Sequence, residues 1–162
     1  MATNLDFIKR ESADSVSSFT ITDIFSADYD VYQVYVTGNG SSSVGSLSAE
    51  FLDSGGSDIA TGNYVYAILR MKPDAAFDDI RVPAGNSFEF TYTSATDYDF
   101  ASVITVYNPF SSSTYTYCST EGNSYYANKG IIVAKSTTSA VSMKFWANQN
   151  FTPINVSVFG VK

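Results

Sequence analysis

The sequence predicts an all-β protein, an antiparallel β-sandwich of jelly-roll type, and three observations carry that prediction. Tyr, Phe, Val and Ile alternate with Ser and Thr along most of the chain, a period-two pattern built from residues that suit a pleated, half-buried surface. Clusters of Gly, Asn, Asp, Ser and Pro interrupt the alternation at short intervals, as turns do. No segment sustains an apolar stripe at helical spacing, and strands without intervening helices pair antiparallel instead of forming βαβ units. A closed barrel is the alternative arrangement of the same strands.

Taken in order, Val16 to Phe25 opens the series with Phe19 and Ile21 on one face. Tyr29 to Thr37 carries apolar groups on both faces, which marks a central strand. A turn at Gly38-Asn39-Gly40 and the serines after it leads into a returning strand holding Leu47, Ala49 and Phe51. Beyond the Asp53 to Asp58 loop, Asn63 to Met71 is rich in β-branched and aromatic residues and reads as strand. Asp74 to Asp79 is the one stretch with room for a helical turn. Ile80 to Val82 is short, and Pro83 to Asn86 turns the chain into Phe88, Phe90 and Tyr92, an aromatic face backed by a polar one. Ala101 to Tyr107, Thr114 to Ser119, Gly130 to Lys135, Val141 to Trp146 and Ile154 to Val161 complete about nine or ten short strands. Phe19, Ile21, Val34, Val36, Phe88, Phe90, Val106 and Val158 are the expected core contributors. With no internal repeat and no long linker, residues 7–162 are expected to form one domain and residues 1–6 a loose N-terminal arm.

The 162 residues suffice for one core that buries roughly two thirds of the unfolded surface. Only 15% are charged and 44% are hydrophobic, so hydroxyls and amides must wet the surface. The net charge of -7 and the dispersion of the nine basic residues argue against nucleic acid, whose phosphates need clustered cations. No apolar run is long enough for a membrane span, and Met1 to Arg10 lacks the apolar centre of a secretory signal. Cys118, the single cysteine, is expected to be a small buried hydrophobe.

The chain contains no His, which removes Ser/His/Asp and Cys/His nucleophile systems, histidine metal sites and imidazole pH switches. Glycoside hydrolysis needs only two carboxylates, and Asp28/Asp30, Asp53/Asp58, Asp74/Asp78/Asp79 and Asp97/Asp99 are the pairs available. Each falls in a turn, where Asp is favoured because it accepts nearby backbone N–H groups. Calcium is a weaker reading of the Asp53 to Asp58 and Asp97 to Asp99 loops, since neither has a complete oxygen-ligand spacing. The expectation is therefore no enzyme activity, no cofactor and no metal. Tyr115, Tyr117, Tyr125 and Tyr126 flank a Ser/Gly/Asn-rich stretch and are the candidate contact residues for a carbohydrate or a protein partner. Core packing is the competing role for them.

Three places resemble small β-sandwich virion proteins of marine bacteriophages. Phe7-Ile8-Lys9-Arg10, then Ser17 to Phe25, then Tyr29-Asp30-Val31-Tyr32 follow the order of strand, Phe-ended segment and Tyr-x-x-Tyr strand found in such proteins. Phe51-Leu52-Asp53-Ser54-Gly55-Gly56 and Tyr107-Asn108-Pro109-Phe110 carry the middle, and Val156 to Lys162 resembles their closing strand. The resemblance implies a structural protein on the particle exterior, a capsid decoration or head-fibre protein, with tail-fibre or tail accessory protein and carbohydrate-binding receptor recognition as alternatives. It implies synthesis in the host cytoplasm, residence in the virion, other virion proteins as partners, and a homo-oligomer such as a trimer. It transfers no catalytic or binding residue.

Overall fold

The structure, a computed structural model, describes residues 4–40, 45–73, 77–93, 99–124 and 126–162. Among them are eleven strands and no helix: β1 Leu5–Ala13, β2 Val16–Ile21, β3 Val31–Gly40, β4 Gly45–Leu52, β5 Tyr64–Met71, β6 Asp78–Gly85, β7 Phe88–Thr93, β8 Asp99–Tyr107, β9 Thr116–Asn123, β10 Ala127–Ala134 and β11 Ser142–Val161. Every strand pairing is antiparallel. The protein is thus an all-β, jelly-roll-like β-sandwich whose sheet nearly closes on itself.

β11 is the spine. Its C-terminal half pairs with β1 on one edge and β3 on the other, and its N-terminal half pairs with β2 and β4. Sharing one bent strand creates two layers. The large layer runs β1, β11, β3, β8, β9, β10, β5, β6, and the small one runs β2, β11, β4, β7. β7 lies across β8, β9, β10 and β5 and closes the sandwich. The sequence pattern suggests two separate strands over Val141 to Trp146 and Ile154 to Val161, because Asn148-Gln149-Asn150 and Pro153 interrupt the alternation. The structure runs one strand through both. Its register shifts between Phe151 and Ile154, where Pro153 has no N–H to contribute to a ladder.

Other departures have equally local causes. Leu5 and Asp6 belong to β1 and pair with Val161 and Gly160. Lys162 binds Asp6 at 2.7 Å, and the Tyr29 hydroxyl donates to the same carboxylate at 2.7 Å. Gly160 lies directly under the Tyr29 ring, so a Cβ there would stand 2.5 Å from it. Asp78 and Asp79 lie in β6, paired with Arg70 and Leu69, and not in a helical turn; residues 74–76 lie outside the described residues. β6 continues through Pro83, which an edge strand tolerates because its outer N–H groups face no other strand among the described residues.

The core is continuous between the layers. Ile21, Val34, Val36, Phe88, Phe90, Val106 and Val158 are fully buried, and Phe19 packs against them from a partly buried position. Phe51 contacts Phe25, Tyr64 and Phe88 with ring centroids 5.4 to 6.4 Å apart. Such offset and tilted ring pairs add about 0.5–1.5 kcal/mol each beyond area burial. Cys118 is buried, and that burial pushes its thiol pKa up.

Candidate functional site

Strand alternation sends every second side chain of the large layer outward, and the pairing registers align these into rows across the strands. One outer row reads Arg81, Ala67, Ile131, Ser119, Thr105, Gln33, Phe159 and Phe7. The next reads Val65, Val133, Tyr117, Tyr107, Val31, Val161 and Leu5. The second row is wholly apolar or aromatic. Ile131 is 67% exposed, Phe7 64%, Tyr117 45% and Leu69 41%. No described segment of the chain covers them.

Two ends of this face differ in character. At one end Phe7 and Tyr35 both meet Phe159 edge-on, with centroids 5.7 and 5.6 Å away. At the other, Ile131 stands between two shallow hollows of about 340 and 390 Å³. Ala67, Leu69 and Ser119 floor the first hollow, with Lys129 and Arg81 at its rim. Val65, Val133 and Pro83 line the second. The ridge follows from its neighbours in the row, since Ala67 and Ser119 are too small to flank Ile131 to its full height.

The candidate tyrosines are divided by this geometry. Tyr117 projects from the outer face of β9 beside Tyr107, its register partner on β8. Tyr115, also exposed, lies two residues before it. Tyr126 lies at the opposite end of the β9–β10 hairpin, about 20 Å away along the strand. Its ring stacks on Tyr92 at 5.7 Å and 14°, with the Lys72 Nζ 5.4 Å from its centroid. Tyr125 lies outside the described residues. Tyr117 therefore shares the outer face with Tyr107, Tyr115 is exposed just ahead of β9, and Tyr126 belongs to an inter-layer contact.

That contact leads into a buried polar layer which the sequence pattern did not reveal. Glu89 and Thr91, expected on a solvent-facing side of β7, are buried. Arg70 of β5 grips Glu89 in a bidentate pair, its Nη2 donating to Oε2 at 2.6 Å and to Oε1 at 2.7 Å, with both side chains nearly buried (12% and 5% exposed). The Ser46 hydroxyl donates to Oε2 at 2.5 Å, and the Arg70 guanidinium lies 3.8 Å from the Tyr92 ring centroid. Deeper in, Thr120 donates to the Phe90 carbonyl at 2.8 Å, and the Asn128 amide donates to Thr91 Oγ1 at 3.3 Å. β7 can come this close because Gly122 has no side chain: a Cβ there would sit 2.7 Å from both Thr91 Oγ1 and Ser102 Oγ. The signal for this layer is non-local, since Arg70 and Glu89 lie on strands that share no ladder.

Aspartates in the described loops act as turn residues. Asp53 Oδ1 accepts the N–H of Gly55 at 2.8 Å and of Ser57 at 2.9 Å. Asp58 Oδ1 accepts the Ala60 N–H at 3.0 Å and the Tyr64 hydroxyl at 2.7 Å, and Tyr64 in turn accepts the Phe51 N–H at 2.8 Å. Burial drives the Tyr64 pKa up. Asp28 accepts from Ser26 Oγ in its turn, whereas Asp99, expected in a turn, opens β8 and accepts from the Asn39 amide across the ladder to β3; Asp97 lies outside the described residues. Among the described residues no three His, Cys, Asp or Glu side chains converge, and no helix is long and apolar enough to cross a membrane. At the chain ends, the hydrogen bond to Asp6 raises Tyr29 to about 12, while hydrogen bonds from Lys162 and then Tyr29 lower the Asp6 pKa below 3.8.

No protein-family model matches the sequence, and no curated protein matches it. Among solved structures the chain is similar to the alginate lyase Aly36B, at 9% identity and a TM-score of 0.36 over 94% of this chain and 81% of that one. It is similar to galectin LEC-6 of Caenorhabditis elegans at 8% identity and a TM-score of 0.34, covering 94% and 95% of the two chains. A third likeness is to exo-inulinase from Aspergillus awamori, at 11% identity and a TM-score of 0.38, over 98% of this chain and 29% of that enzyme. Likenesses of this size carry no argument about what the chain does.

Proposed function

We propose that this chain is a non-enzymatic structural protein of the bacteriophage virion exterior, a capsid decoration or head-fibre protein that works by contact through the outer face of its large layer. The observation that carries the reading is the uncovered apolar face itself. Large exposed apolar patches on soluble domains mark interaction surfaces, and the row from Val65 through Tyr117 and Tyr107 to Leu5 is apolar or aromatic across the layer, in a chain where only 15% of residues are charged. The sequence resemblance to small virion proteins supplies the kind of partner. The lack of any His supports binding over catalysis.

The test is addition of purified protein to particles that lack it. Specific retention on the particle, lost on changing Tyr117 and Tyr107 together to Ala, supports the reading; failure to bind overturns it. Receptor recognition through a glycan is the second reading, because Tyr107 and Tyr117, exposed register partners on one face, offer aromatic rings on which a sugar ring could stack. Binding of the same double variant to host cells or glycans, measured beside the particle assay, separates the two.

A further inference from the structure

We propose that the Ile131 ridge and the hollows beside it form the contact surface for a second copy of this chain, met across a two-fold axis. The proposal rests on the reading of the outer face as a contact surface and names the occupant of one end of it.

Shape is the first argument. A two-fold contact uses the same patch on both partners, so the patch must carry both the projection and its socket. Ile131 is the projection, 67% exposed, and the apolar hollows floored by Ala67 and lined by Val133 on either side of it are the sockets. Two copies facing each other can each insert Ile131 into the hollow beside the other's.

Charge is the second. Copies of a chain with net charge -7 repel one another in general. On this patch, however, the charged side chains are Asp79 with Arg81 and Glu121 with Lys129, already paired within the copy at 2.9 and 2.5 Å. The patch is neutral in an acidic molecule, so two copies meeting there bring no unpaired charges together.

Extent is the third. β6, β5, β10, β9 and β8 at about 4.8 Å spacing, and the three outward rows through Met71, Leu69 and Ile131, make a patch about 24 by 20 Å beside the Tyr117–Tyr107 row that faces the particle. That is more than half of the roughly 800 Å² per partner of a standard stable interface. Pairing edge to edge along β6 is disfavoured by Pro83 and by Asp79 and Arg81 on the strand, so the face is the available route.

Sedimentation velocity across the micromolar range tests this, with circular dichroism and melting temperature as controls for folding. The wild-type chain is expected to sediment as a dimer, and Ile131→Arg to weaken association at least about tenfold. Ile131→Cys, the only accessible thiol because Cys118 is buried, is expected to give a disulfide-linked dimer under mild oxidation. A wild-type monomer throughout the range, or association unchanged in Ile131→Arg, overturns the proposal. Particle binding is read separately: a monomer whose particle binding is abolished by Ile131→Arg puts another virion protein on the ridge and removes the second copy. A dimer that fails to bind particles leaves the proposal standing and removes the virion reading.

Discussion

Both faces of the β9–β10 hairpin mix polar and apolar residues, against the usual order of apolar inside and polar outside. Its inner face carries Thr116, Thr120, Gly122, Asn128 and Gly130 alongside Cys118 and Ile132, all buried. Its outer face carries Tyr117, Ile131 and Val133, with the first two widely exposed, beside Ser119, Asn123 and the Glu121–Lys129 ion pair. The difference has a steric origin on one side and an energetic one on the other. β7 approaches the inner face so closely at Gly122 that no side chain fits there, and Thr120, the Asn128 amide NH2 and the Arg70–Glu89 pair find hydrogen-bond partners inside. Nothing in the described chain crowds the outer face, so large apolar groups there must be justified by contact with something else. Substitution should therefore cost stability at the crowded inner positions and little at Ile131 on the outer face.

The largest expected effect is on the inner side. Glu89→Ala leaves the Arg70 guanidinium nearly buried without its carboxylate, and breaking a buried pair in this way costs about 3–5 kcal/mol. Urea unfolding should read this as a lowered midpoint. Replacing both partners, Arg70→Met with Glu89→Leu, should recover most of the loss, and a double variant as unstable as the single one would show that the pair stabilises beyond mutual satisfaction. Next in size is Gly122→Val, whose added side chain meets Thr91 and Ser102 and should cost about 1–3 kcal/mol. On the outer side, Ile131→Thr should change the stability of the dilute protein by less than about 0.5 kcal/mol. An unfolding midpoint that falls as far for Ile131→Thr as for Gly122→Val would mean that the outer face is held by the fold itself.

The smallest expected effect lies at the chain ends. Asp6 has a folded pKa below 3.8 because Lys162 and Tyr29 hydrogen-bond its carboxylate. A depressed carboxyl pKa contributes stability that is complete above the unfolded value and is lost as pH falls through the folded one. The midpoint difference between wild type and Asp6→Asn should therefore be constant above about pH 5 and shrink below pH 3.8. A difference independent of pH in that window would assign the contact to geometry and not to charge.

Much of the fold was legible because alternation reports directly on which side chains share a face. Phe19 with Ile21, Val34 with Val36 and Phe88 with Phe90 fall inside as the pattern requires. Continuity of strands was less legible: Asn148-Gln149-Asn150 and Pro153 look like a loop, yet both edges of β11 carry paired neighbours that hold the chain extended through most of its length. The site was legible only in part. Tyr117 alternates cleanly with Thr116 and Cys118, which sends it outward. Ile131, Ile132 and Val133 are consecutive apolar residues, so no pattern within them says which faces solvent; the register with Cys118 and Ser119 decides it. Tyr126 follows a turn, where alternation gives no direction, and its stacking on Tyr92 depends on β7 lying across the hairpin. The Arg70–Glu89 pair depends on the same crossing.

The most direct test is electron microscopy of the intact particle at a resolution that traces strands. The sandwich is expected on the virion exterior with the row through Tyr117 and Tyr107 turned against a neighbouring protein. A particle in which the chain is absent, or one in which that face points to open solvent while other surfaces make the contacts, would contradict the assignment.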